Sequence, residues 1–152
     1  MAQELWLSNK QLPQLKHLGT EFFATSGMED AVTTGVMRGR PHGGVSISWS
    51  SDLNHVITPL TEYKHRRLVA VQLSTTTKCV IFISVYMPFL DSRRREMCRA
   101  ETIETISMIE RIISDHPNHL FVIGGNLNCK LKGEAEAVKR IATPKLNTLS
   151  AY

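Results

Sequence analysis

No stretch of these 152 residues approaches the roughly 20 consecutive apolar residues that a membrane-crossing helix requires. Nor does the N-terminus, Met-Ala-Gln-Glu-Leu-Trp, have the basic-then-apolar layout of a secretory leader. Cysteine is scarce. Cys79, Cys98 and Cys129 are odd in number and far apart, with no C-x-x-C pair, so they suit reduced thiols better than a disulfide framework or a zinc site. There is no repeat, low-complexity tract or internal linker, and no excess of acid: the formal net charge is +4, with six histidines besides. That bias is compatible with nucleic acid without specifying it. Together these absences lead to the expectation of one intracellular domain, nuclear or cytoplasmic and not secreted, with no membrane partner.

What is present is a set of short apolar segments. Gln3 to Leu7 reads as the tail of a strand. Ser8-Asn9-Lys10-Gln11 then has the pattern of a helix start, in which Gln11 reaches back to Ser8. Leu12, Leu15 and Leu18 supply its apolar stripe, Pro13 is tolerated in the first turns, and Gly19 ends it. Thr20 to Thr25 predicts a short strand, and Ser26 to Arg40 a polar surface loop. Val45, Ile47 and Trp49 alternate on one side of a half-buried strand. Leu53 to Leu60 is expected to pair with it. Val69, Val71 and Leu73 alternate in the next strand, Thr75 to Thr77 turn the chain, and Lys78 to Met87 is the most apolar run, suited to a central strand covered on both faces. Arg93 to Ser114 is the best helix, with Met97, Ile103, Ile106, Ile109 and Ile113 at helical spacing. Lys132 to Arg140 reads as a short helix, and Thr143 to Tyr152 has no clear period. Trp6 and Trp49 are expected in the core.

The stretch Leu120-Phe121-Val122-Ile123-Gly124-Gly125-Asn126-Leu127-Asn128 carries most of the chemistry. Its first four residues predict a buried strand, and the glycines allow a close approach that a side chain would obstruct. In an extended chain Asn126 and Asn128 would share a face, with Leu127 turned into the core. By itself the stretch is equally a strand followed by an ordinary Asn/Gly turn.

Four pieces in order resemble the endonuclease/exonuclease/phosphatase superfamily, especially the endonuclease domain of LINE-type retrotransposons. They are Gln3-Glu4-Leu5-Trp6-Leu7, Arg38-Gly39-Arg40-Pro41-His42-Gly43-Gly44-Val45, Val85-Tyr86-Met87-Pro88 and Ile123-Gly124-Gly125-Asn126-Leu127-Asn128. The last is similar to the family's Gly-Asp-Phe-Asn signature. The match covers residues 2–131 of a single domain, 1–152, and leaves 132–152 unassigned. The resemblance implies an α/β fold, a partial two-sheet αββα sandwich (DNase I-like) with mixed sheets and flanking helices. It also implies cleavage of phosphodiester bonds with Mg2+, which neutralises the phosphate and stabilises the leaving oxygen. By the same resemblance Glu4 matches the metal-binding Glu, Tyr86 the Tyr beside the scissile phosphate, and Asn128 the Asn that contacts it. Asn126 stands where the family has an Asp that orients or deprotonates the attacking water.

That departure sets the functional expectation. An amide is nearly isosteric with a carboxylate, so the fold tolerates it, but it accepts no proton and draws a metal poorly. The family's preceding strand and its closing Ser-Asp-His have no counterpart, which gives the expectation of a truncated domain needing a partner chain to complete the sandwich. Ser114-Asp115-His116 lies on the wrong side of the signature strand and reads as helix-ending chemistry. His116 and His119 flank a proline, which argues against a metal site. Arg93-Arg94-Arg95 and Lys64-His65-Arg66-Arg67, the densest basic runs, read as solvated surface, with contacts to DNA phosphates as the alternative, Arg93, Arg94 and Arg95 being the candidates for them. The expected function is therefore a degenerate, inactive retrotransposon-derived endonuclease-like domain. The alternatives are an active Mg-dependent DNA endonuclease and a non-catalytic nucleic-acid- or protein-binding remnant.

Overall fold

The longest apolar run organises the chain. In the computed structural model, which describes residues 1–18, 20–27, 43–89 and 92–128, Cys79–Tyr86 forms strand β6. It is paired along its length on both sides. Strand β5 (Leu68–Ser74) lies antiparallel to it and β7 (Leu120–Asn126) parallel, while β4 (Ile57–Pro59) extends the sheet beyond β5. A parallel neighbour cannot be reached by a tight turn, and helix α1 (Arg95–Asp115) supplies the crossover between β6 and β7. The second sheet is antiparallel, in the order β1 (Ala2–Gln3), β3 (Val45–Trp49), β2 (Glu21–Thr25).

Side-chain alternation explains how the layers meet. On one face of the four-stranded sheet, Leu68, Ala70, Ile81, Ile83 and Val85 pack with Ile109 and Ile112 of α1. On the other, Val69 and Val71 meet Val45 and Ile47 across the gap between the sheets, with Phe23, Trp49, Phe82 and Tyr86 around them. The central position of β6, with cover on both faces, is as the sequence indicated. The described residues therefore stack as sheet, sheet and helix.

Several local expectations are corrected. The first strand stops at Gln3, because Glu4 (φ 55°) and Trp6 (φ 51°) take left-handed backbone that breaks the extended run. Trp6 is exposed, not core. Gln11 does reach back to the Ser8 N–H, at 3.0 Å, but the element it opens is a 3-10 helix, Leu12–Leu18. Trp49 Nε1 donates to Asn54 Oδ1 at 2.8 Å across a short 3-10 turn, Ser51–Leu53, and the redirected chain carries β4 into the other sheet instead of back along β3. The expected loop, insofar as it covers 28–40, the residues Arg38 to His42, Cys129 and the segment 132–152 lie outside the described residues.

Helix α1 buries part of the expected stripe: Ile109 is in the core and Ile106 and Ile113 pack against it. Cys98, Thr105, Ile109 and Ile112 are covered, whereas Met97 and Ile103 point outward. Thr105 is buried without penalty because its hydroxyl donates to the Glu101 carbonyl at 2.8 Å. Strand β7 is corrected too. Its outer edge has no partner among the described strands, and Leu120, Val122 and Ile123 are exposed in place of the two-sided burial expected.

These two faces of α1 separate by substitution. Ile112→Ala, at a fully buried position, should cost about 2–5 kcal/mol, whereas Ile103→Ala, 56% exposed, should change stability by no more than about 0.5 kcal/mol. Urea unfolding of the two variants checks the assignment.

Candidate functional site

The C-terminal ends of β6 and β7 and the residue after β1 converge on one polar corner. Register places Tyr86 beside Asn126, both on the face that looks toward the second sheet. The backbone closes the corner: Met87 N–H donates to the Asn126 carbonyl at 2.8 Å. Gly125 makes this possible. Its φ is +151°, and a Cβ there would lie 1.8 Å from the Val85 carbonyl oxygen, so no other residue lets β7 approach β6 so closely. The sequence reading of this glycine, a close approach barred to side chains, holds.

The two asparagines do not share a face as expected. Asn128 is left-handed (φ 45°), which rotates it out of the strand, and Leu127 is exposed instead of packed in the core. The turn is held from within: the Asn128 N–H donates to Asn126 Oδ1 at 3.1 Å, and Asn128 Nδ2 donates to the Met87 carbonyl at 2.8 Å. Asparagine is among the few residues that accept this backbone.

Glu4 reaches the corner from the other sheet. Gln3 Nε2 donates to Ser84 Oγ at 3.2 Å, tying β1 to β6, and the left-handed Glu4 follows, near enough for its charge to act on the Tyr86 phenol. Burial pushes the Tyr86 phenol above its ordinary 10.0, and the Glu4 charge and hydrogen bond push it further; the Arg67 guanidinium and Asn128 oppose them. Glu4, Tyr86, Asn126 and Asn128 are thus brought together. Arg93, Arg94 and Arg95 are not part of the corner: they are exposed at the start of α1, on an open depression lined also by Ser92, Glu96 and Met97.

Sequence reasoning missed Arg67. Its guanidinium lies 5.5 Å from the centre of the Tyr86 ring, and its backbone carbonyl accepts the Tyr86 N–H at 2.9 Å. The reading of Lys64 to Arg67 as solvated surface is corrected for two of them: Arg66 and Arg67 both fork onto the Glu101 carboxylate, at 2.9 and 2.6 Å. The available signal was Glu101 itself, an acid three residues after Cys98 and four before Thr105, hence on the buried face of α1. Beside this fork, His65 Nε2 lies 3.5 Å from Glu104. Ser114-Asp115-His116 proves to be helix-end structure. The Tyr63 hydroxyl donates to Asp115 Oδ2 at 2.8 Å, and the His116 ring packs edge-on against Tyr63 and His119.

The donor set is poor for a divalent metal. Among the described residues the corner holds one carboxylate, Glu4, and an amide oxygen on Asn126 already spent on a backbone N–H. No group of three or more His, Cys, Asp or Glu able to hold a metal occurs among the described residues. One carboxylate is the fewest with which a protein holds magnesium, the rest of the shell then falling to waters and substrate oxygens.

Neither a protein-family model nor a curated protein sequence matches the chain. Solved structures do. The human Nocturnin catalytic domain, determined with a bound sulfate anion, superposes with a TM-score of 0.54 at 10% identity, over 91% of this chain and 53% of that one. A humanised D. rerio TDP2 gives 0.50 at 13% identity, over 88% and 53%. This chain has the DNase I-like fold of these structures, a two-sheet α/β sandwich. The endonuclease domain of TRAS1, a telomere-specific non-LTR retrotransposon, also aligns, with a TM-score of 0.48 at 16% identity over 74% of this chain and 42% of that one. The chain spans about half the length of the structures it matches. No helix among the described residues is long and apolar enough to cross a membrane.

Two outcomes test this geometry. Gly125→Ala should part β7 from β6 and cost several kcal/mol, about the range seen for strained backbone with broken pairing, read as a lowered unfolding midpoint. For His65, burial holds the imidazole below its ordinary 6.5 against the pull of Glu104, so the folded state resists protonation. Stability is then fully present above pH 6.5 and falls as the pH drops below it; His65→Gln should flatten that fall in thermal melts.

Proposed function

We propose that this chain is a catalytically silent, retrotransposon-derived domain of the DNase I-like fold. One observation carries the reading: the position of the attacking-water base holds Asn126, whose Oδ1 is occupied by the Asn128 N–H. A neutral amide takes no proton from water, and loss of a general base alone removes about 10²–10⁴-fold of rate. The corner keeps the parts that would face a phosphate, the Tyr86 hydroxyl and the Asn128 amide, and lacks the part that would activate a nucleophile. The single carboxylate, Glu4, supports the same conclusion.

A second reading keeps binding without cleavage. Arg93, Arg94 and Arg95 are exposed together on a chain of net charge +4. On this reading they contact DNA phosphates, and affinity falls with salt as counterions are released.

Plasmid nicking with Mg2+ separates these readings from an active endonuclease. The native chain and Glu4→Ala should be equally inactive. Metal-dependent nicking by the native chain that Glu4→Ala abolishes would overturn the proposal. Comparing both with Asn126→Asp shows whether the acid alone restores any cleavage. Salt-dependent DNA retention without nicking, weakened when Arg93 to Arg95 are changed to Gln, would establish the second reading.

A further inference from the structure

Arg67 makes two contacts with one residue of the corner. Its carbonyl fixes the Tyr86 backbone and its guanidinium lies against the Tyr86 ring, 5.5 Å from the centroid. The guanidinium is in turn held by Glu101 Oε2 at 2.6 Å, from the helix on the far side of the sheet. Both partners of that ion pair are mostly shielded, with side-chain exposures of 18% and 14%, so the pair is not screened as a surface bridge would be. Arg67 Nε is buried and has no hydrogen-bond partner, which leaves Glu101 and the Tyr86 ring as the groups that hold the head in place.

We infer that Arg67, clamped by Glu101, is the positioning residue of the candidate site: it sets the ring of Tyr86 and so aims the phenol at Glu4 and Asn128. The inference rests on Tyr86 belonging to that site and is indifferent to whether the site cleaves. A planar guanidinium suits the task because its face can lie against the ring while one of its nitrogens, Nη2, engages the carboxylate. An ammonium could meet the charge of Glu101 but would not keep both contacts. Arg66 shares the Glu101 carboxylate at 2.9 Å and helps hold the acid in place.

The test reads the Tyr86 ring directly, by fluorine NMR of protein carrying 3-fluorotyrosine. The Tyr86 signal is assigned by its loss in Tyr86→Phe, and the Tyr63 signal serves as an internal reference. Arg67→Lys and Glu101→Gln should each shift or broaden the Tyr86 signal while leaving the Tyr63 signal in place, with Arg67→Met giving the largest change. If these variants lose thermal stability yet leave the Tyr86 signal unmoved, Arg67 is structural only and the inference is wrong. Should Arg67→Met not fold, Arg67→Lys and Glu101→Gln still decide it. The readout needs neither DNA nor cleavage, so this inference and the proposed function can fail separately.

Discussion

The pairing of β6 on both edges and its cover on both faces is the constraint from which the rest follows. Ile81, Ile83 and Val85 bind the helix to the sheet, and Phe82 and Tyr86 bind the sheet to its counterpart. A strand so enclosed cannot slip by one residue without turning three buried aliphatic side chains toward the opposite layer. Its register is thereby fixed, and so is the place at which it ends. Tyr86 occupies that end with Asn126 opposite, and Glu4 arrives there because Gln3 is tied to Ser84 one pleat earlier.

Close packing also explains the unusual backbone at this corner. Three non-glycine residues in the described chain have positive φ: Glu4, Trp6 and Asn128. Two of them are site residues. Left-handed backbone in a glutamate is unfavourable and persists only where the surroundings compensate. For Asn128 the compensation is the pair of hydrogen bonds to Asn126 and Met87.

Much of this was legible in the sequence where a single rule governed. Continuous apolar character gave β6 its central place, and alternation gave β3 and β5 their inward faces. Reading failed where one contact outranked the pattern. The isoleucines of α1 suggested a stripe through Ile103, which is exposed, while Ile112, outside that stripe, is fully covered on the side where Glu101 meets two guanidinium groups. Leu120, Val122 and Ile123 have the composition of a strand covered on both sides, yet they lie on an edge, and composition does not report neighbours. Asn126 and Asn128 were found from a motif, but their relative orientation depended on a left-handed residue that strand periodicity cannot foresee. Arg67 was hidden in a run of basic residues whose average behaviour is exposure.

The structural duties of Asn126 bear on how the site should be interpreted. Its carbonyl accepts from Met87, which any residue could provide, and its side-chain oxygen accepts from the Asn128 N–H, which an aspartate could do equally well. An Asx turn therefore closes with either residue, and the corner keeps its shape whichever is present. Preserved geometry at this position is evidence of preserved fold and is neutral about chemistry. What differs is charge: a carboxylate here would add a negative charge beside Tyr86, where the amide adds none. Asparagine and aspartate thus close the same turn and differ by one negative charge, so the stability of this corner says nothing of the chemistry it can carry.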